Sequence, residues 1–304
     1  MRDGVCASRV AVSAGPEVRV VDFLAMRLPR VTDWSQRMAR GEVLDADGRP
    51  IGQAEPCRRG AVLWYWRDPG PEPAVAGELD ILHHDDRLVV VDKLHGLSVT
   101  PGGRWLHQTA LVKVRRQLGL ATLSPVHRLD LETAGVLLFS VRPEDRNAYH
   151  RHLREQRMRK VYEAVVPWRD DLTATPIEAR HRLREREGDD FMQMEVIEGE
   201  PNATTGIELI TRLSDFAHLR LHPLTGRKHQ LRAQLNALGL PIVGDRIYPN
   251  LLPMADPVTG ADGRLPLQLL AREIAFDDPV TGEPRRFVSR RVLAAVDGVL
   301  RAVS

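Results

Sequence analysis

The most concentrated set of chemically active side chains lies in the segment HRLDLETAG, residues 127–135. It places the carboxylate of Asp130 close to the imidazole of His127 and the cation of Arg128. The segment is polar and precedes the apolar run VLLFS, so we predict a loop at the end of a strand, where functional residues are common. A carboxylate in such a loop can act as a nucleophile or stabilise positive charge. The alternative is a turn in which Asp130 only caps a backbone N–H.

A second candidate is an arginine on a predicted helix. In LTGRKHQLRAQLNALGLP, the apolar stripe of Leu231, Leu235 and Leu238 predicts a helix that ends at Gly239. Arg232 follows Leu231 by about 100° around that helix. It therefore lies at the edge of the stripe, where it can face a cleft; the alternative is an ordinary surface arginine.

These two segments and three others resemble the motifs of the RluA-type pseudouridine synthases. HRLDLETAG resembles the signature loop of that family, H-R-L-D-x-x-T-S-G. ILHHDDRLVVVDKLHGLSVTP, KVYEAVV, LTGRKHQLRAQLNALGLPIVGDRIY and LQLLAREIAFDDPVTGEPRRF match further motifs in the same order, so the resemblance covers residues 79–288. Each motif is weak to moderate alone, but five in order are very specific. The departures are Ala134 for a usual Ser, Asp92 and Leu94 for a common Asn and Pro, and Leu270 for a common His.

The resemblance implies roles for individual residues. Asp130 would be the catalytic carboxylate, Arg232 the arginine that pairs with it, and Tyr162 an active-site tyrosine that stacks on uracil or relays a proton. A strand tyrosine that only packs is the alternative for Tyr162. Arg128 would fill the stack left by the flipped nucleotide or hold the adjacent phosphate. Further candidates for contact with uridine or the RNA backbone are His127, Lys93, Arg227, Lys228, His229 and Gln230.

The implied reaction is the isomerisation of uridine to pseudouridine in structured RNA, with ribosomal RNA favoured over transfer RNA. The bond from ribose to the uracil nitrogen breaks, the base turns, carbon 5 joins the ribose, and carbon 5 loses a proton. Because no atom is gained or lost, we expect no cofactor, and the spacing of the histidines predicts no metal site. Asp130 either attacks the anomeric carbon or removes a ribose proton to give a glycal, and both routes stay open.

The elements that must position these residues follow from periodicity and turn signals. Strand-like runs come mostly in succession, and helices are predicted near residues 109–118, after Pro143, and before Gly239. Successive strands predict an α+β fold with a mixed, largely antiparallel sheet and flanking helices. The runs are ELDILHH, RLVVVDK, VLLFS, VYEAVV, TGIELIT, AHLRLHP, LQLLA, EIAF and RRFVS.

The Pro/Gly-rich segment RDPGPEPAVAG predicts a boundary between a small α/β N-terminal module, residues 1–70, and a pseudouridine synthase catalytic domain, residues 78–304. The module is predicted to hold two helices, near residues 20–28 and 33–40, an Asp47-Gly48 hairpin turn and the strand AVLWYW. It faintly resembles the alpha-L RNA-binding module that precedes many of these synthases. A plain structural cap is an equally weighted alternative.

Composition and charge limit the class of protein and the compartment that we expect. The chain of 304 residues has 43% hydrophobic and 28% charged residues, a net charge of +2 and two distant cysteines, Cys6 and Cys57. This favours a globular, cytoplasmic protein without a disulfide scaffold, signal peptide or membrane span, and we expect a monomer. Basic residues cluster at 146–160 and 227–232, whereas acids gather in REREGDDFMQMEVIEGE, which suggests one basic face for RNA. For each cluster, a solvated helix face is the alternative.

Two other functions remain open. A nucleoside or DNA glycosylase breaks the same bond, but it needs a positioned water and usually a second acid or base. Glu132, two residues after Asp130, is a possible partner in sequence, yet its position is variable in the family pattern. A catalytically silent RNA-binding protein is the other alternative, and it would not need Asp130, Tyr162 and Arg232 together.

Overall fold

The computed structural model describes residues 1–29, 31–67, 70–73, 75, 78–174, 176–187, 192–252 and 265–303. The chain forms two compact units, Met1–Glu72 with Gly103–His107 and Pro73–Gly102 with Gln108–Ser304. Several residues of the predicted linker, at 68–69, 74 and 76–77, lie outside the described residues. The boundary between residues 70 and 78 stays a prediction.

The first unit holds a three-stranded sheet in the order β1-β3-β2 and two helices packed on one apolar core. Its elements are β1 Ser8–Ala11, α1 Val20–Arg27, α2 Trp34–Ala39, β2 Val43–Leu44 and β3 Val62–Tyr65. Both predicted helices and the strand β3 are confirmed. After the Asp47-Gly48 turn, the chain makes only an isolated bridge from Pro50 to Leu44 and not a second strand. The assignment of this unit to the alpha-L type stays a prediction.

The second unit is built on a mixed sheet of eleven strands in its described residues. The strands are β4 Asp80–His84, β5 Leu88–Lys93, β6 Ser124–Pro125, β7 Ala134–Ser140, β8 Arg159–Pro167, β9 Ile177–Glu185, β10 Met194–Ile197, β11 Ala203–Leu213, β12 Phe216–Pro223, β13 Leu269–Asp277 and β14 Pro284–Val288. The helices are α3 Ala110–Leu118, α4 Arg146–Arg154, α5 Gln230–Ala237 and α6 Ala294–Val303. Short 3-10 turns lie at Pro143–Asp145 and Asp170–Ala174.

The strand order along the sheet is β10-β9-β11-β12-β8-β13-β7-β5-β4, with β14 paired to β13 and β6 paired to β7. Only the β7–β13 pair of this sheet is parallel in the described residues. The predicted α+β class with a mixed, largely antiparallel sheet and flanking helices is therefore confirmed.

One prediction about strands was wrong, and one long strand was not predicted. LQLLA and EIAF are parts of one strand, β13, whose pairing with β8 shifts register between Ala271 and Glu273. β9 was not anticipated, because Arg180, Arg182 and Arg184 occupy its exposed face. Because arginines occupy alternate positions, hydrophobicity alone does not reveal the two-residue period of this strand.

The start of β7 positions the loop of residues 127–133 against two neighbouring strands. Gly135 pairs with Lys93 at the end of β5 and with Ala271 on β13. It has a φ of +112°, and a Cβ built there would lie 2.2 Å from the carbonyl oxygen of Ala271. Only glycine therefore allows β7 to approach β13 this closely.

Candidate active site

Asp130 lies in the loop between β6 and β7, and its neighbours fix that loop. The backbone N–H of Leu138 donates to Nε2 of His127 at 3.2 Å, and the side chain of Leu129 is buried in the apolar core. Burial lowers the pKa of His127 to about 4, so the ring stays neutral and can accept this hydrogen bond. The backbone N–H of Thr133 donates to the carbonyl of Asp130 at 3.1 Å. Anchored in this way, the Asp130 side chain remains 28% exposed.

Arg232, on α5, is the cation beside this carboxylate. Its Nη1 lies 3.6 Å from Oδ2 of Asp130, and its side chain is only 1% exposed. The same guanidinium donates two hydrogen bonds to Asp245, at 2.8 and 2.6 Å, and one to Glu132, at 2.7 Å. Three carboxylates thus surround one buried arginine. Two of them are hydrogen-bonded to it, whereas Asp130 makes only a longer charge contact.

Burial and charge oppose each other at this cluster. Burial alone would lower the pKa of Arg232, but its hydrogen bonds to Asp245 and the charges of Asp245, Glu132 and Asp130 raise that pKa above its ordinary value. Burial also raises the pKa of Glu132, and the charge of Arg232 only partly offsets that rise. The arginine therefore stays charged at every accessible pH and supplies a fixed positive centre beside Asp130.

Lys93 was predicted to contact uridine or the RNA backbone, but the structure encloses it completely. Its ammonium donates to the carbonyls of Leu94, Leu97 and Leu131, at 2.9, 2.8 and 3.1 Å. Burial lowers the pKa of Lys93 to about 7, although the nearby charge of Asp130 acts to raise it. The prediction of direct RNA contact was wrong for this fold, because Lys93 ties the end of β5 to the Asp130 loop instead.

Tyr162 lies on β8, between β12 and β13, where it pairs with Leu221 and Ala271. The ring packs against both large apolar clusters of the second unit. Burial raises the pKa of its phenol, and the charge of Asp130 adds to the rise. The hydroxyl is therefore neutral at physiological pH and lies within electrostatic reach of the carboxylate.

The turn before α5 brings His229 to the same place. Its Nε2 lies 3.9 Å from Oδ1 of Asp130, and its ring meets the edge of Tyr248 at 6.0 Å between centroids. Burial lowers the pKa of His229, although Asp130 acts to raise it. The residue adopts a φ of +48°, which turns the chain sharply into the helix.

The other candidates of this turn separate into buried and exposed residues. Gln230 is buried, and its amide accepts from Thr225 at 2.7 Å and from the N–H of Arg227 at 3.0 Å. Its predicted contact with RNA is therefore replaced by a role in holding the turn. Arg227 and Lys228 are exposed; Arg227 donates to a backbone carbonyl, and Lys228 pairs with Glu185 at 2.9 Å.

Sequence reasoning missed two residues of this cluster, Asp245 and Tyr248. Asp245 accepts from Arg232 and from the backbone N–H groups of Ile247 and Tyr248. The hydroxyl of Tyr248 accepts from the N–H of Met194 at 2.6 Å, and its ring lies 5.9 Å from the guanidinium of Arg232. Glu132 was noted in the sequence as a possible partner of Asp130, but its hydrogen bond with Arg232 was not anticipated. Asp245 and Tyr248 stand in the quoted run GDRIY, but only their contacts in space reveal their relation to Arg232.

The family model of RNA pseudouridylate synthases matches residues 87–237. An RNA pseudouridine synthase of Synechocystis is 32% identical over 71% of this chain and 73% of its own length. The dual-specificity RNA pseudouridine synthase RluA of Haemophilus influenzae is 32% identical over 71% and 94%. This chain belongs to the RluA-type pseudouridine synthase family. The expected family is thereby confirmed, and with it membership among isomerases that act on RNA.

Other comparisons agree with this RNA pseudouridine synthase assignment. The ribosomal large subunit pseudouridine synthase D of Nitrosomonas europaea is 32% identical over 69% of the chain and 61% of its own length. The solved structure of human RNA pseudouridylate synthase domain containing 4 has 24% identity and a TM-score of 0.56, and the match covers 73% of this chain and 93% of that one. The latter likeness concerns the fold alone.

Two departures of this synthase from the family pattern lie against each other. Ala134 on β7 and Leu270 on β13 are opposite in the parallel register. Both are buried in one apolar cluster with Val165, Leu213 and Leu293. An alanine and a leucine therefore fill, in this synthase, a place where a serine and a histidine are common. In the described part of the chain, no helix is long and apolar enough to cross a membrane.

Proposed function

We propose that this synthase isomerises uridines in structured RNA with Asp130 as its catalytic carboxylate, and that ribosomal RNA is favoured over transfer RNA. The observation that carries the proposal is the contact of Asp130 with Arg232. A 28% exposed carboxylate lies 3.6 Å from a cation that is only 1% exposed. The carboxylate can therefore reach a substrate while a fixed positive charge lies beside it.

The hydrogen bonds of the cluster favour Asp130 over its two neighbours as the reacting group. Asp245 has no exposed side-chain surface and is committed to Arg232 and to backbone N–H groups. Glu132 is hydrogen-bonded to Arg232 at 2.7 Å. Asp130 makes only the longer contacts, 3.6 Å to Arg232 and 3.9 Å to His229, so its oxygens can meet a ribose. The other two carboxylates would hold the guanidinium in place beside it.

The reaction then needs two bond changes at the ribose. In one route, Asp130 attacks the anomeric carbon as the bond to the uracil nitrogen breaks, and carbon 5 of the turned base later displaces the carboxylate. In the other, Asp130 removes a ribose proton to give a glycal and later returns it. In both routes the proton on carbon 5 must finally leave. The neutral phenol of Tyr162 is suited to stacking on the base and to relaying this proton.

Access to the base requires that the nucleotide leaves its stack. Arg128 is exposed, two residues from Asp130, and its guanidinium has no hydrogen-bonding or ionic partner among the described residues. It is therefore free to occupy the vacated stack or to hold the neighbouring phosphate. His229, 3.9 Å from Asp130, and the exposed Arg227 on the same turn are further candidate contacts for the RNA.

The preference for ribosomal RNA rests on the relatives. One is named for the large ribosomal subunit and another for dual specificity. We propose ribosomal RNA as the first substrate to test, with the enzyme acting as a monomer in a reducing cytoplasm. Cys6 and Cys57 are not joined by a disulfide in the described residues, which is compatible with that compartment.

The decisive experiment compares the purified protein with Asp130→Asn on RNA from cells that lack this gene, without added cofactor. New pseudouridines, mapped by chemical labelling and sequencing, should form only with Asp130 intact, and both proteins should bind the RNA equally. Substantial turnover by Asp130→Asn would refute the assigned role. Release of free uracil would identify a glycosylase, and tight binding without modification would indicate a silent binder.

A further inference from the structure

The sequence contains two basic clusters, and in one of them most of the charged groups contact other groups of the same chain. In residues 227–232, Lys228 pairs with Glu185 and the guanidinium of Arg232 is buried among carboxylates. Arg227 donates to the carbonyl of Asn202 at 3.2 Å. Acids from distant parts of the chain thus neutralise most of a segment that contains no acid of its own.

The cluster at residues 146–160 keeps part of its charge free. Arg157 pairs with Glu155 at 3.1 Å, and Arg159 pairs with Glu273 at 2.6 Å. In contrast, Arg151 and Arg154 on α4 are exposed, and neither guanidinium has a hydrogen bond or ion pair with any described residue. Two adjacent arginines therefore face solvent without a counter-charge.

The contacts of α4 show where these two arginines lie. Arg146 donates to the carbonyl of Thr122, and one turn later Nε2 of His150 donates to the carbonyl of Pro125 at 3.1 Å. The helix therefore advances in the same direction as the segment that enters the Asp130 loop. Arg154, one further turn along and roughly 6 Å beyond His150, lies on the side towards Arg128.

The chain after α4 returns directly to the active site. Lys160, at the start of β8, lies with Nζ 3.5 Å from the carbonyl of Thr225, and its charge contributes to lowering the pKa of His127. Tyr162 follows two residues later. The C-terminal end of α4 is thus tied to the site on one side through the Pro125 segment and on the other through β8.

We propose that Arg151 and Arg154, together with Arg128, form a rim that binds backbone phosphates of the RNA flanking the target uridine. The proposal rests on the function proposed for the Asp130 site. Arg151 and Arg154 are roughly 4.5 Å apart along the helix axis, a spacing suited to neighbouring phosphates. A guanidinium binds phosphate bidentately and reads no base, so the rim contributes affinity that is independent of sequence.

The test uses Arg151→Ala/Arg154→Ala in the full chain, with Arg157→Ala/Arg159→Ala as the matched control. The control also removes two exposed arginines, but these are the ones that acids already neutralise. The probe is large-subunit ribosomal RNA transcribed in vitro, which lacks modifications. Dissociation constants are measured between 50 and 400 mM KCl, and KM and kcat are measured for pseudouridine formation.

The rim variant should raise Kd and KM on the order of tenfold at low salt, and the slope of log K against log salt should fall by about 1.4 to 1.8. At saturating RNA, kcat should stay within about twofold, because the Asp130 site is intact. A slope and a Kd equal to those of the control would overturn the rim. If the unaltered protein binds the transcript but modifies no uridine, the proposed function fails, while the salt slope still decides the rim.

Discussion

Replacing Arg232 by methionine separates the charge of this residue from its volume. Methionine is of comparable length and apolar, so the substitution leaves little cavity while it removes the cation from three carboxylates. Breaking a buried ion pair by removing one partner typically costs about 3–5 kcal/mol. Asp245 keeps the hydrogen bonds from the N–H groups of Ile247 and Tyr248, so we expect a loss of about 3 kcal/mol, at the low end of that range.

The same variant should acquire a pH dependence with a defined sign. Burial raises the pKa of Glu132 in the folded state, and Arg232→Met removes the charge and the hydrogen bond that partly offset this rise. A group with a raised folded pKa stabilises at pH below its unfolded pKa and loses that contribution as pH rises through the folded pKa. The deficit of Arg232→Met relative to the unaltered protein should therefore be small near pH 4.5 and complete by about pH 7.5.

The assay must report on the second unit. Of five tryptophans, only Trp168 lies in that unit, so total fluorescence would mainly follow the first one. Hydrogen–deuterium exchange of peptides from α5 and residues 242–252 under increasing urea measures the relevant opening free energy. Turnover on RNA should fall strongly in the same variant, because Asp130 has lost its cation.

A companion variant identifies the cause. Arg232→Met/Asp245→Asn removes the buried negative charge as well, so it should recover part of the lost stability but none of the lost turnover. The reasoning is refuted if Arg232→Met is within about 1 kcal/mol of the unaltered protein at pH 7.5, or if a folded variant retains its normal rate.

Two further predictions concern residues that support the site. Since burial lowers the pKa of Lys93 to about 7, the unfolded chain binds this proton more strongly between about pH 7 and 10.5. The free energy of unfolding should rise by a few kcal/mol across that window relative to Lys93→Met, as measured by urea unfolding; an equal pH profile would contradict this. Leu270→His should cost about 2–4 kcal/mol, and adding Ala134→Ser should recover about 1 kcal/mol or more. A double-mutant cycle that gives strict additivity would show that the two positions are not coupled.

Local patterns were sufficient for much of the fold. Thr109 and Gly119 bound α3 as predicted, because the Thr109 hydroxyl accepts from the N–H of Val112 and Gly119 adopts a φ of +70°. These signals act within one or two turns of chain, so a sequence displays them directly. The strand β9 was not predicted from the sequence. Which of its side chains are buried depends on contacts with β11 and α5, which the local sequence does not show.

The position of the site was predictable in the same limited way. The motif around Asp130 could be recognised in a continuous segment, and Arg232 could be placed on a predicted helix. The burial of Arg232 could not be predicted, because the apolar stripe of that helix indicates only a position at its edge. Lys93 was misjudged for a related reason: a lysine next to apolar residues gives no sign that three carbonyls will satisfy its ammonium.

Charge is the property that sequence proximity describes least well. Glu132 is 100 residues from the arginine to which it is hydrogen-bonded, and Glu185 is 43 residues from Lys228. The run at 227–232 contains four basic residues and no acid, yet folding leaves little of its charge for a partner. On α4, the guanidinium groups of Arg151 and Arg154 have no hydrogen bond or ion pair with a described residue, so their charge remains available. A basic segment therefore indicates an RNA surface only after the distant acids that reach it have been counted.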